Sequence, residues 1–144
     1  MKIRNMKDLE KALQPVMLGM VDELAERVYE TLNYFLQEYY NSYNPKSYKR
    51  QFDFLRSAIK VEPQIKGSKV TASVYIDTDS MDNYYNATGL QVASWANKGL
   101  HGGLDTGGNT PHVWDDTMKT TVNNGELLKL AIDYLKSKGF SVLN

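Results

Sequence analysis

The chain has no cysteine in 144 residues, which excludes disulfide staples, thiolate zinc centres and thiol catalysis together and leaves stability to packing. Only two histidines are present, His101 and His112, so any imidazole base or ligand has to be one of these. Net charge is missing too. Seventeen basic and seventeen acidic side chains cancel, and no overall field draws the protein onto nucleic acid or an anionic membrane. No run approaches the roughly 20 apolar residues that span a bilayer. The charged stretch from Met1 to Glu10 lacks the apolar core of a secretory signal. A protein with neither membrane span nor export signal is expected.

What remains is an ordinary globular composition. Leu, Ile, Val and Phe are spread along the chain, and the length suits one hydrophobic core, so a single domain over 1–144 is predicted. Leu9 and Leu13 begin a helical pattern that Pro15 interrupts, because proline lacks an N–H and clashes with the preceding turn. The long helix is therefore predicted over 15–42. Its apolar stripe is Met17, Val21, Leu24, Val28, Leu32, Phe35 and Tyr39, at spacings of three and four. At about 1.5 Å per residue it would run roughly 40 Å, more than a small core needs. The stripe is the candidate self-association surface, and a helix bracing a sheet is the equal alternative. Tyrosines crowd the end of this helix and its exit at positions 29, 34, 39, 40, 43 and 48, a composition that suits protein interfaces.

After a turn or short helix from Tyr48, the residues Ile59, Val61, Pro63 and Ile65 alternate with Lys60, Glu62, Gln64 and Lys66, which is strand periodicity. Pro63 argues for an edge. Lys66-Gly67-Ser68-Lys69 turns the chain into Val70, Ala72, Val74 and Ile76, so a β-hairpin over 59–77 with one apolar face is predicted. Thr88 can cap a short helix that Gly99 ends. Gly99 to Pro111 carries five glycines and almost no large apolar side chain, so an exposed, mobile loop over 99–111 is expected. Met118, Thr120 and Val122 read as a further short strand. A last helix over 125–138 has the stripe Leu127, Leu130, Ala131, Tyr134 and Leu135, with Gly139 at its C-cap and Phe140 packing back. The fold class is α+β: a long N-terminal helix packed on a small, mostly antiparallel β-sheet, with a C-terminal helix.

The glycine loop has neither the dinucleotide fingerprint nor the lysine and hydroxyl of a nucleotide loop. His101, Asp105, His112, Asp115 and Asp116 are metal-ligand types in one neighbourhood, but without ligand spacing; acidic residues after a Pro-His turn suit helix capping. Ser94 is not in a nucleophile elbow, and the carboxylates Glu23, Glu26 and Glu30 read as surface charges. The sequence therefore offers no catalytic, cofactor-binding or metal residues, and a non-enzyme without cofactor is expected. Lys46, Lys49, Arg50, Arg56 and Lys60 interleave with Tyr43, Tyr48, Phe52 and Phe54, a mixture that allows incidental contact with DNA. The loop residues Leu100, His101, Gly102, Gly103, Leu104, Asp105 and Thr106 are the candidate docking loop for a partner, since loops of this length usually carry a function.

The order of these features resembles the head-to-tail joining or tail-completion (neck) proteins of long-tailed bacteriophages and prophages. In that family a long N-terminal helix leads to a Tyr-x-Arg-Thr-Gly-x-Leu-x-x-Ser-like segment. Here Tyr48-Lys49-Arg50-Gln51-Phe52-Asp53-Phe54-Leu55-Arg56-Ser57 takes its place, with Tyr48, Arg50, Leu55 and Ser57 near the pattern. Gln51-Phe52 replaces the Thr-Gly pair, so glycine's backbone freedom is absent there. Ala96 to Gly103 looks like the family's glycine loop, and Thr110-Pro111-His112-Val113-Trp114-Asp115-Asp116 like its Pro-aromatic stretch. The resemblance implies a non-catalytic structural protein that assembles as a homo-oligomeric ring. It would join the capsid connector to the tail and contact other head, neck or tail proteins. Its place would be the virion, and the host cytoplasm during assembly. The alternative from the residues alone is a cytoplasmic bacterial protein-binding module that dimerises through its long helix.

Overall fold

Met6–Asn41 forms one uninterrupted 36-residue helix, α1, in a computed structural model that describes residues 2–46, 50–83 and 86–142. The Asn5 side chain accepts the Asp8 N–H at 2.9 Å, and the Asp8 carboxylate accepts the Arg4 N–H at 3.0 Å. This reciprocal cap satisfies entry donors and sets an acid at the positive end of the helix dipole. The expected start at Pro15 is thereby corrected. Pro15 is exposed inside α1, and the turns before it are held by the cap and by Leu13 and Met17, which border one cleft with Ile65 and Val70. Cap and packing together outweigh the lost hydrogen bond.

The hairpin consists of β1 (Ala58–Lys66) and β2 (Lys69–Ile76), paired antiparallel. Along β2, Val70, Ala72, Val74 and Ile76 are half-buried while the residues between them are exposed. β1 departs from the expected face. Ala58 pairs with Ile76 and Lys60 with Val74, so Lys60 lies on the inner face, whereas Ile59 and Val61 pair with Tyr75 and Ser73 on the outer one. The register then shifts between Val61 and Gln64, and Ile65 emerges opposite Val70. An extra residue in one strand inverts the alternation beyond it, and Pro63 lies within that irregular stretch, where proline is tolerated. Lys60 is taken in because its partners are there. Its side chain is 12% exposed, and the ammonium donates to Asp22 at 2.7 Å and Glu26 at 2.9 Å, two carboxylates one turn apart on α1.

Helix α2, Gly89–Asn97, opens with a capping box between Thr88 and Gln91 and closes at Gly99, which takes the left-handed conformation. The strand expected at Met118, Thr120 and Val122 is instead the end of α3, Val113–Thr121, with Val122 as its C-cap. Val113, Thr117 and Thr121, four apart, are all buried. Each threonine hydroxyl donates to the carbonyl four residues back at 2.7 Å, so the polar group travels into the core already paired. Helix α4, Glu126–Ser137, has a half-buried stripe at Leu127, Leu130, Ala131, Tyr134 and Leu135. Gly139 is left-handed behind it, and Phe140 stays 39% exposed rather than packing fully back. Gly19 of α1 lets α4 approach: a Cβ there would lie 2.0 Å from the Tyr134 hydroxyl.

The core gathers at the C-terminal half of α1. Leu32, Leu36, Tyr39 and Tyr40 meet Phe54, Ala58, Met81, Ala96 and Val113, each large side chain contributing about 1.5–3 kcal/mol by leaving water. α1 packs against both strands, α3 and α4. This corrects part of the expected self-association stripe. Leu32 and Tyr39 are core residues of this chain and Phe35 packs against them, while Met17, Val21, Leu24 and Val28 are half-buried along the same helix. Among the described residues, no helix is long and apolar enough to cross a membrane.

Candidate functional site

Tyr39 in the last turn of α1 and Tyr43 just beyond it converge on one imidazole. His101 stacks on Tyr39 with ring centroids 4.2 Å apart and planes 11° from parallel, and Tyr43 tilts toward it at 5.0 Å. Ser42 Oγ donates its single proton to the Tyr39 carbonyl at 2.7 Å. At 3.0 Å from His101 Nε2 the same oxygen must therefore accept, so the neutral ring carries its proton on Nε2. Burial first, and then the charge of Arg50, hold the imidazole pKa down at about 4 from an ordinary 6.5. His101 is neutral at physiological pH.

The loop that delivers His101 is built rather than slack. His101 and Leu104 exchange backbone hydrogen bonds at 2.9 and 3.0 Å, and the two residues between them, Gly102 and Gly103, have φ of +58° and +80°. Positive φ at both central positions makes the tight turn for which a glycine pair is suited. A Cβ on Gly103 would meet the Trp95 indole at 3.4 Å. The Tyr39 hydroxyl donates to the Leu100 carbonyl at 2.6 Å. Of the docking-loop residues, His101 is buried, Leu100 and Thr106 are half-buried, and Gly102, Gly103, Leu104 and Asp105 are exposed, Leu104 at 69%. Exposure of the whole segment is thus corrected: a histidine able to stack and hydrogen-bond draws the first half of the loop onto α1.

Arg50 completes the site. Its Nη1 donates to the Tyr40 carbonyl at 2.8 Å, and the guanidinium lies 5.1 Å over the Tyr40 ring. Between these groups is a cavity of about 310 Å³, bounded among others by Tyr39, Tyr43, Arg50, Trp95, His101 and Thr106. The Thr106 hydroxyl oxygen is buried without a hydrogen-bond partner. Among its described walls the site offers aromatic faces and one cation, Arg50.

The other candidate groups disperse. His112 lies away from His101, with its Nδ1 donating to the Asn97 carbonyl at 3.0 Å. Asn97 Oδ1 accepts the Asp115 N–H at 2.8 Å, and Asp116 accepts the His112 N–H at 2.9 Å, so these polar groups cap α3. Among the described residues no three histidine or carboxylate side chains are placed to hold a metal ion. The basic-aromatic mixture also divides: Lys60 turns to α1, Arg50 to Tyr40, and Phe54 into the core. Tyr48 and Lys49 lie outside the described residues. Trp95 was the residue missed by sequence reasoning, although an indole just before a Gly-Leu-His-Gly-Gly turn is its only local signal. A family model, YomN, matches residues 5–137 of the chain, and no curated protein or solved structure matches it.

Proposed function

We propose, on the premise that the chain belongs to the YomN family and that this family is phage- or prophage-associated, that it is a neck or tail-completion protein. In this reading it assembles as a ring between the capsid connector and the tail, is structural rather than catalytic, and resides in the virion after assembly in the host cytoplasm. Its partners are copies of itself and other head, neck or tail proteins, with incidental contact to the DNA that passes.

The observation that carries the phage setting of this reading is the family match over nearly the whole chain; the neck role itself rests on the order of sequence features described above. Two surface features support it. Among the described residues the sheet has two strands, so each has an edge open to further pairing, and on the outer face Tyr75 is exposed while Ile59 and Val61 are half-buried. The rigid turn from His101 to Leu104 presents an exposed leucine at its end. The dimeric alternative draws on the α1 stripe, whose Leu32 and Tyr39 the fold already buries. The test is deletion of the gene from an inducible prophage, followed by electron microscopy of the lysate and mass spectrometry of purified wild-type particles. DNA-filled heads beside separate tails, and the chain present in the virion, are expected. Intact infectious particles from the deletion strain would overturn the proposal.

A further inference from the structure

No carboxylate among the described residues pairs with Arg50. Among the described residues the ion pairs are those of Arg27 with Glu126 and of Lys60 with Asp22, Glu26 and Glu62. Arg50 gives one hydrogen bond to the Tyr40 carbonyl, which leaves most of a guanidinium's planar donor fork unused. No acidic residue is among the described walls of the cavity, and its other polar groups are neutral: tyrosine hydroxyls, Gln51, His101 and the orphaned Thr106 hydroxyl. The Tyr39 face is taken by His101, but Tyr43 and Trp95 also line the cavity, and flat π faces favour a flat guest.

We infer that this cavity is a binding site for a planar aromatic ring bearing a single carboxylate, the ring against the Tyr43 and Trp95 walls and the carboxylate on Arg50. An Arg–carboxylate contact is charge-assisted and bidentate. The volume of about 310 Å³ lies at the small end of ligand cavities and suits a ring with a short acidic arm. A phosphomonoester fits less well, since its second negative charge would find no second cation among the described walls. The same chemistry has two sources, a free aromatic acid or an aromatic residue beside an acidic one on another polypeptide. The site goes beyond the neck reading, and its test uses purified protein rather than particles, so either can fail alone.

Calorimetric titration of the full chain with phenylacetate, phenylacetamide and acetate tests the inference. Phenylacetate should bind saturably, one per chain, phenylacetamide at least about tenfold more weakly, and acetate without measurable heat. Arg50→Gln should erase the preference for acid over amide at unchanged circular dichroism, and Arg50→Lys should keep part of it. Trp95→Leu, which removes a flat wall of the cavity, should weaken phenylacetate several-fold and serves as the second test if Arg50→Gln fails to fold. Tighter binding of acetyl-Phe-Glu-amide than of phenylacetate would assign the natural source to a polypeptide, and weaker binding would assign it to a free acid; both uphold the site. Absence of phenylacetate binding, equal binding of acid and amide, or an undiminished preference in Arg50→Gln would overturn it.

Discussion

Lys60 and His101 are polar side chains that the fold takes in, and they respond to pH in opposite directions. The Lys60 pKa is raised, by its hydrogen bond to Asp22 first and that to Glu26 second. A folded-state pKa above the unfolded 10.5 means that the network's stabilisation is fully present below that value and drains away as pH rises beyond it. Lys60→Met should lower Tm at pH 7, and adding Glu26→Gln should recover part of the loss by relieving two like charges one turn apart. Calorimetric melts of the three proteins check this, and unchanged Tm in Lys60→Met would show that the network adds nothing. His101 works the other way, its pKa pushed from 6.5 to about 4 by burial and then by Arg50. The unfolded chain takes up a proton that the folded chain refuses, so stability is fully present above about pH 6.5 and falls between there and about pH 4. His101→Phe keeps the stack on Tyr39 and removes the proton. Its Tm should therefore fall less steeply across that window; parallel Tm-against-pH curves would refute the assignment.

At the scale of elements, legibility followed the size of the signal. α2, α4 and the body of α1 carried apolar stripes, and β2 alternated without a break, so each could be read from pattern; the start of α1 could not, because the helix capped at Asn5 runs on through Pro15. β1 could not be read correctly. Lys60 looks like the solvent side until Asp22 and Glu26, more than thirty residues away, are known to face it, and the shift after Val61 carries no signal beyond Pro63. α3 was misread because Thr117, Thr120, Thr121 and Val122 are β-branched, a composition that favours strands; packing against α1 and i−4 back-bonding decide otherwise. It follows that Thr117→Val should be tolerated within about 1 kcal/mol in chemical denaturation, since its hydroxyl serves only its own helix. A loss well beyond that would mean that the hydroxyl has a further partner. Leu36→Ala, in the same core, should cost about 2–5 kcal/mol. Pro15→Ala should stabilise by about 1–3 kcal/mol, because the helix continues through the proline and an alanine restores its bond.

For the whole molecule, the site was half legible. The crowding of tyrosines at the end of α1 and the lone histidine among glycines were visible, but what joins them is a fold-dependent meeting of residues some 60 positions apart, Tyr39 with Leu100 and Ser42 with His101. Local pattern cannot announce such a meeting. The loop consequently has two parts with separable behaviour. Replacing 100–109 by a Gly-Ser linker should cost about 2–4 kcal/mol from the lost stack and hydrogen bonds. Leu104→Asp, at the exposed end of the turn, should leave Tm unchanged while reducing the yield of joined particles. Normal yield with Leu104→Asp would free this residue from the docking role. The hairpin, for its part, packs substantially on no element but α1, while α3 is held by α1, α2 and α4. An element with a single neighbour can detach without dragging the rest with it, a sub-global opening of low free energy. Amide hydrogen exchange should therefore divide the molecule into two cooperative units, with β1 and β2 exchanging together well before the interior turns of α1 and α3, and Lys60→Met should accelerate the first unit alone.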